Sequence, residues 1–220
     1  MVRKIIIVPL AVMLGAAAIG LVYPLLTGLP GSEQNVIPRF ANQWHVGKGA
    51  EAKPTLQYNI KTADMNFTVK IKFLEQVGDE QQVQLIIDDS AGQHFDEMLK
   101  IGKAYVFIDA PERIKPYVDA LDKTVLSIRD TVVEPKYLVV GAEWGTTYIG
   151  KFTPKMKITG YQDETFEFGH LKAYKISYKV NDIENYFLVA DNVPLPLRSE
   201  YYNLDGVLEY SYDLTGLELS

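Results

Sequence analysis

The stretch KAYKISYKVNDIENYFLVA, residues 172–190, alternates apolar and polar side chains on both sides of Asn181-Asp182. Alternation with a period of two is typical of a β-strand that buries one face, and a two-residue polar turn between two such runs predicts a hairpin. The turn fixes the register and places these residues opposite one another: Tyr174 and Val189, Ile176 and Phe187, Tyr178 and Asn185, Val180 and Ile183. Asn185 is the one polar residue on this otherwise apolar or aromatic face.

A second hairpin follows, with Asp205-Gly206 as its predicted turn. This turn predicts the following opposite residues: Tyr201 and Tyr210, Leu197 and Leu214, Ser199 and Tyr212, Arg198 and Asp213. Because a slip of one residue would exchange the two faces of a strand, the consistent separation of apolar from polar residues supports this register. Both hairpins therefore have a tyrosine-rich apolar face and a polar face.

The rest of the domain alternates in the same way, in FTVKIKF, VQLII and LQYNI. One helix is predicted in PERIKPYVDALDKTVLSIRD, beginning near Lys115, because Pro116 is tolerated in the first turn of a helix. Its apolar stripe comprises Ile114, Tyr117, Val118, Leu121, Val125 and Ile128. The segment HFDEMLKI, residues 94–101, is predicted to form a shorter helix. The fold class is therefore α+β, mainly antiparallel β, with one or two helices on the apolar face of the sheet.

The N-terminus predicts a membrane anchor. Residues 5–26 contain no charged side chain and are long enough, as a helix, to cross the hydrocarbon core of a bilayer. Arg3 and Lys4 precede this segment, so the positive-inside rule places the following domain outside the cytoplasm. A cleaved signal peptide is the alternative, since residues 15–18 (GAAA) offer a small-residue cleavage site. The predicted organisation is a single transmembrane anchor or uncleaved signal in residues 1–27, a linker in residues 28–44 and one β domain in residues 45–220.

The composition excludes several classes of function. The net charge of −6 argues against a nucleic-acid partner, which needs a basic surface. The chain contains no cysteine, so disulfides, thiolate metal sites and a cysteine nucleophile are excluded.

The end of the chain resembles the periplasmic lipoprotein carriers of the LolA/LolB type. The matching features are the strand at residues 186–190, the proline-kinked bend VPLP at residues 193–196 and the Asp205-Gly206 turn. The resemblance implies a curved antiparallel sheet, an open half-barrel, with helices on its concave face. It also implies a cleft that holds a lipid acyl chain in some members. The predicted anchor departs from that family, because a tethered protein cannot carry cargo between membranes.

No catalytic, cofactor or metal site is predicted, and the chain is not expected to be an enzyme. His94 and Glu97 form the one candidate acid–base cluster, and they are interpreted as a solvated helix end. Asp88-Asp89 are interpreted as turn residues in preference to calcium ligands. Asn66 begins the glycosylation motif Asn66-Phe67-Thr68 in a domain predicted to lie outside the cell membrane.

The tyrosines on the apolar faces have two interpretations. They either fill an ordinary core or line a cavity suited to an amphiphile, because each ring is apolar and carries a polar hydroxyl. On the second interpretation, the predicted ligand-binding residues are Tyr174, Ile176, Tyr178, Phe187, Tyr201, Tyr210 and Tyr212. The predicted function is a membrane-anchored, extracytoplasmic, non-catalytic domain that binds a lipid-like or apolar ligand. The alternative is an accessory or structural subunit of a membrane or cell-envelope complex.

Overall fold

The computed structural model describes residues 41–149 and 151–219. Within these residues, one α-helix, α1 (Lys115–Lys123), and two 3-10 turns, Ala50–Ala52 and Arg129–Val132, accompany the strands. The strands are β1 (Gln43–Trp44), β2 (Thr55–Thr62), β3 (Asn66–Val77), β4 (Glu80–Asp89), β5 (His94–Ile101), β6 (Phe107–Ile108), β7 (Lys136–Tyr137), β8 (Glu143–Thr146), β9 (Lys155–Phe166), β10 (Gly169–Val180), β11 (Ile183–Val189), β12 (Arg198–Tyr202) and β13 (Leu208–Glu218).

The predicted anchor in residues 1–27 lies outside the described residues, as does most of the predicted linker. Among the residues that the structure describes, no helix is long and apolar enough to cross a membrane. Two residues of the predicted linker, Gln43 and Trp44, form β1, which pairs with β7. Trp44 is fully buried, and its indole Nε1 donates to the carbonyl oxygen of Val193 at 3.0 Å.

Eleven strands form one curved antiparallel sheet in the order β6-β5-β4-β3-β2-β13-β12-β11-β10-β9-β8. The prediction of a mainly antiparallel β domain is confirmed. Within the described residues the sheet is open, because β6 and β8 lie at its two edges and do not pair with each other.

The first predicted hairpin is confirmed in full. All four predicted pairs are observed between β10 and β11, and Lys179 also pairs with Glu184. Asn181 and Asp182 have positive φ angles of 51° and 64°. Positive φ at both central residues is what a two-residue turn requires if it is to match the twist of its strands.

The second hairpin has the predicted register but a wider turn. Tyr201 pairs with Tyr210, as predicted, and two further predicted pairs, Ser199 with Tyr212 and Arg198 with Asp213, are also present. The main-chain nitrogen of Leu214 donates to the carbonyl oxygen of Leu197 at 2.7 Å, which agrees with the fourth pair.

The predicted two-residue turn at Asp205-Gly206 is wrong in length. The connection is a loop over residues 203–207, in which Asn203 Oδ1 accepts from the main-chain nitrogens of Asp205 and Val207, both at 3.0 Å. A register shift between Tyr201 and Tyr202 compensates for the longer loop.

Helix α1 begins at Lys115, as predicted, and has Pro116 in its first turn. The Tyr117 ring contacts the rings of Phe67 in β3 and Phe95 in β5, with centroids 5.3 Å and 5.5 Å apart. We call the face of the sheet against which α1 packs the inner face, and the opposite one the outer face. The predicted stripe is buried from Ile114 to Val125 and partly buried at Ile128, although the helix itself ends at Lys123.

The second predicted helix is wrong, because residues 94–101 form strand β5. Burial alternates along this strand, with Phe95, Glu97, Leu99 and Ile101 less exposed than the residues between them. The strand pairs with β4 over its whole length, and this pairing satisfies its main-chain groups without a helix.

The proline-kinked bend between β11 and β12 is held through its carbonyl groups. The carbonyl oxygen of Pro194 accepts from the main-chain nitrogen of Gly47 at 2.7 Å, and that of Pro196 accepts from Tyr58 Oη at 2.9 Å. Gly47 has a φ of +96°, and a Cβ there would lie 2.1 Å from the Tyr105 hydroxyl. Only glycine can therefore occupy this position without displacing its neighbours.

Candidate ligand-binding cavity

A cavity of about 260 Å³ lies on the inner face of β10–β13. The opposite wall is the segment that follows α1, with Ser127, Ile128 and Asp130 among the lining residues. Met156 of β9 and Thr146 at the end of β8 complete the lining toward the edge of the sheet. The cavity therefore lies between these strands and the segment that follows the end of α1 at Lys123.

The structure brings five of the seven predicted ligand-binding residues together around this cavity: Tyr178, Phe187, Tyr201, Tyr210 and Tyr212. Tyr201 and Tyr210 are opposite each other in the hairpin, and their rings stack with centroids 4.9 Å apart and planes within 8°. Tyr212 continues the row, with its ring 6.4 Å from that of Tyr210.

The other two predicted residues lie elsewhere. Tyr174 stacks on Tyr161 of β9 with ring centroids 4.2 Å apart, and it is not part of the cavity lining. Ile176 is fully buried in the core, between its cross-strand partners Phe187 and Ile158. Both share the inner face with the cavity residues but lie farther along the strands.

The phenol groups around the cavity are uncharged at neutral pH. Burial raises the pKa of Tyr210 to about 12. Burial likewise raises the pKa values of Tyr178, Tyr201 and Tyr212 above the ordinary tyrosine value. Burial acts in this direction because a low-dielectric environment disfavours the phenolate. The cavity therefore presents aromatic surface and neutral hydroxyl groups.

Asn185 is a lining residue that was not among the predicted ligand-binding residues. It is 1% exposed, and its Oδ1 accepts from the main-chain nitrogen of Tyr202 at 2.5 Å. Its Nδ2 has no hydrogen-bond partner among the described residues. The signal was present in the sequence, since Asn185 is the polar exception on the apolar face of the first hairpin.

A second cavity, of about 560 Å³, shares Tyr201 and Tyr210 as lining residues. Its other walls are α1, with Pro116 and Ala120, and the turn at residues 62–65 between β2 and β3. The stacked tyrosine pair therefore borders both cavities.

Trp144 lies in the core beside the first cavity. Its ring stacks on Trp44 and is tilted toward the cavity residue Phe187, with centroid distances of 5.8 Å in both cases. Its Nε1 donates to the carbonyl oxygen of Tyr137 at 2.9 Å.

The candidate acid–base cluster does not assemble. His94 and Glu97 are separated by three positions on strand β5, so their side chains leave opposite faces of the sheet. His94 Nδ1 lies 2.7 Å from Asp88 Oδ1, whereas Glu97 forms an ion pair with Arg113.

The neighbouring Asp89 has the predicted turn role. Its Oδ1 accepts from the main-chain nitrogens of Ala91 and Gln93 at 2.9 Å and 2.8 Å, and its Oδ2 accepts from Tyr117 Oη at 2.5 Å. Asp89 therefore ties the β4–β5 turn to α1. The predicted glycosylation residue, Asn66, is exposed at the beginning of β3, and its modification stays a prediction.

Comparisons with known proteins give only distant likenesses. No known protein family and no curated protein matches the chain. The fold is similar to that of a candidate exported protein of Bacteroides fragilis with a YmcC-like fold, at 14% identity over 81% of this chain and 99% of that chain, with a TM-score of 0.38. It is also similar to a candidate lipoprotein of Parabacteroides distasonis, at 14% identity over 80% of this chain and 97% of that one, with a TM-score of 0.35.

A third likeness is to MucB of Pseudomonas aeruginosa, solved in complex with MucA. The identity is 14%, the coverage is 78% of this chain and 54% of that chain, and the TM-score is 0.39. This chain therefore spans about half the length of that MucB chain. All of these TM-scores are low, so neither family membership nor function is drawn from the three likenesses. The LolA/LolB resemblance stays a prediction.

Proposed function

We propose that this protein is a membrane-anchored, extracytoplasmic, non-catalytic domain that binds a lipid-like ligand in the cavity bordered by Tyr178, Tyr201, Tyr210 and Tyr212. The observation that carries the proposal is this cavity on the inner face of the sheet. Aromatic rings supply apolar contact area, and their hydroxyl groups supply polar contacts, which is the combination that an amphiphile needs. The extracytoplasmic location rests on the apolar segment at residues 5–26 and the basic residues before it.

The proposal leaves out catalysis for two reasons. The residues that line the cavity include no histidine, cysteine or lysine, and burial moves the pKa of Tyr210 still farther above neutrality, to about 12. The one candidate acid–base pair, His94 and Glu97, is divided between the two faces of β5.

The two tryptophans of the chain give a direct test. Trp44 and Trp144 are stacked, and Trp144 is in ring contact with the cavity residue Phe187. We would titrate the full-length chain in detergent micelles with the methyl ester of dibrominated stearic acid and record tryptophan emission. Bromine quenches tryptophan only at short range, so we expect saturable quenching when the probe enters the cavity. The unbrominated ester is the control for changes in emission that are not quenching.

A matched pair of variants identifies the cavity as the binding site. Ile128 forms the wall opposite the sheet, so Ile128→Phe narrows the cavity and should weaken the quenching severalfold. Val140→Phe adds a similar bulk at an exposed position and should leave the titration unchanged. Quenching that does not saturate, or that is equal in the two variants, would count against the proposal.

A second function, an accessory subunit of a membrane complex, is favoured by a different observation. Large apolar side chains are exposed within a short part of the chain, most of all Val133 and Tyr148, at 85% and 79%. Tyr137, Val140 and Phe152 are also exposed. Such side chains are typical of a protein–protein contact when they form a patch.

Gentle solubilisation followed by cross-linking tests this second function. If the chain contacts a partner here, Tyr148→Asp should abolish a discrete cross-linked species, whereas Val207→Asp, at another exposed apolar position, should not. A full-length chain that migrates only as a free monomer would contradict the subunit role.

A further inference from the structure

Asn185 provides a hydrogen-bond donor that the described residues leave without an acceptor. Its Oδ1 accepts from the main-chain nitrogen of Tyr202, and a main-chain N–H can only donate. This bond fixes the orientation of the amide, so Nδ2 must be the unpartnered group. A buried polar group without a partner is uncommon in native proteins and needs an explanation. Because Asn185 lines the cavity, a bound ligand can supply the missing acceptor.

The charged residues around the cavity indicate whether the acceptor group of the ligand is neutral or anionic. The cavity lining contains no lysine, arginine or histidine that could neutralise an anion. Of the two acidic residues in the lining, Asp130 is exposed, and Glu200 lies between Ser199 and Tyr201 on β12, so its carboxylate is on the outer face, where it accepts from Tyr202 Oη. Transfer of an anion from water into such a site is costly without a partner of opposite charge. A neutral carbonyl carries no such cost.

From these two observations we infer that the cavity selects an uncharged ligand whose ester or amide carbonyl accepts a hydrogen bond from Asn185 Nδ2. The inference rests on the proposed function and makes it more specific, since it distinguishes neutral acyl esters and amides from the corresponding fatty-acid anions. The acyl chain lies along the tyrosine rings of the same cavity, and the second cavity beyond Tyr201 and Tyr210 offers room for its continuation.

Three brominated probes with the same chain length separate these contributions. They are the methyl ester of dibrominated stearic acid, the ionised acid at pH 8 and dibrominated octadecane, which has no carbonyl. Each is titrated against the full-length chain in detergent micelles with tryptophan quenching as the signal. The wild-type chain should bind the ester about tenfold more tightly than the ionised acid, because both can accept from Asn185 Nδ2 but only the acid must bury an anion.

A matched pair of substitutions assigns the effect to Asn185. Asn185→Asp keeps the acceptor for the Tyr202 main-chain nitrogen and the side-chain volume, but it replaces the donor with a carboxylate oxygen. Asn59→Asp makes the same change on the outer face, where Asn59 Oδ1 likewise only accepts, from Thr68 Oγ1 at 3.1 Å. Asn185→Asp should weaken the ester about tenfold or more and the hydrocarbon probe by much less, because only the ester loses a hydrogen bond, whereas Asn59→Asp should change neither.

The outcomes separate the inference from the proposed function. If no probe quenches the wild-type chain, the proposed function fails. If all three probes bind equally, or if Asn185→Asp leaves the ester affinity unchanged, the cavity binds apolar chains but the carbonyl assignment is overturned. The latter result is expected if a water molecule, and not a ligand, satisfies Nδ2. Should Asn185→Asp fail to fold, the wild-type chain still decides the inference, because the ester should bind more tightly than both the ionised acid and the hydrocarbon.

Discussion

At the scale of single residues, Asp89 makes stability depend on pH. The hydrogen bond from Tyr117 Oη is the main cause that lowers the pKa of Asp89, and main-chain donors of the turn lower it further. A carboxyl group whose pKa is lower in the folded than in the unfolded state stabilises the fold above its unfolded pKa. This stabilisation is lost as the pH falls through the folded pKa.

We therefore expect Asp89→Asn to destabilise the domain at neutral pH. The difference from the wild-type chain should shrink as the pH falls below the ordinary aspartate range, about 4, because the wild-type carboxyl is then protonated as well. Urea unfolding of both chains at a series of pH values measures this difference. Asp64→Asn, an equal change of charge at an exposed turn residue, is the control. A difference that does not depend on pH would show that the carboxylate charge of Asp89 is not involved.

At the scale of elements, the β10–β11 turn has the right shape but not the best residue for it. Asp182 has a φ of 64°, in the left-handed region that glycine adopts with little cost. Asp182→Gly should therefore raise the free energy of unfolding by about 0.5–1 kcal/mol, as measured by urea denaturation. Asp163→Gly, in the interior of β9, should lower it by a similar amount, because glycine is unfavourable within a strand. Equal effects of the two substitutions would contradict this account of the turn.

The hairpins could be predicted because the residues that determine each register are close together in the sequence. In β10 and β11 the turn dipeptide and the alternation agree, so a single register separates Ile176 and Phe187 from the polar residues. In the second hairpin the side chain of Asn203 accepts from two main-chain nitrogens and widens the turn. The alternation of apolar and polar residues does not predict these hydrogen bonds.

Strand β5 could not be predicted in this way because it contains a charge on its inner face. Phe95, Met98 and Leu99 have helical spacing, and this similarity led to the wrong helix. In the structure Met98 is exposed, and Glu97 occupies the inner position. Glu97 is tolerated there because Arg113, from the segment before α1, forms an ion pair with it. This compensation depends on a contact between distant parts of the chain.

The candidate cavity was predictable only in part, for a similar reason. The hairpin registers place Tyr178, Tyr201, Tyr210 and Tyr212 on one face, but they do not determine which part of that face is covered. The cover depends on where α1 ends and how the following segment crosses the sheet, which involves residues far from the hairpins in the sequence. The exclusion of Tyr174 from the cavity could not be read from the alternation.

At the scale of the whole molecule, β13 has a special position. It pairs with β12 on one side and with β2 on the other. Within the described residues, β2–β6 and β8–β12 are joined into one sheet only through this strand. It also contributes Tyr212 and Leu214 to the core.

A chain that ends before residue 208 should therefore lose cooperative unfolding and become sensitive to limited proteolysis. A chain that ends after Glu218, the last residue of β13, should keep both properties, because the omitted Leu219 is exposed. Circular dichroism during urea titration and a protease time course measure the two properties. A sharp unfolding transition in the shorter chain would show that β13 is dispensable.

The position of β13 also bears on the order in which the sheet forms. The strand that joins the two parts of the sheet follows all the other described strands in the chain, whereas its partner β2 precedes nearly all of them. Contacts between segments so far apart form slowly, since a long loop must close before they are made. The hairpins on either side can form from neighbouring residues, so the pairing of β2 with β13 is expected to be the late step that converts two separate groups of strands into one sheet.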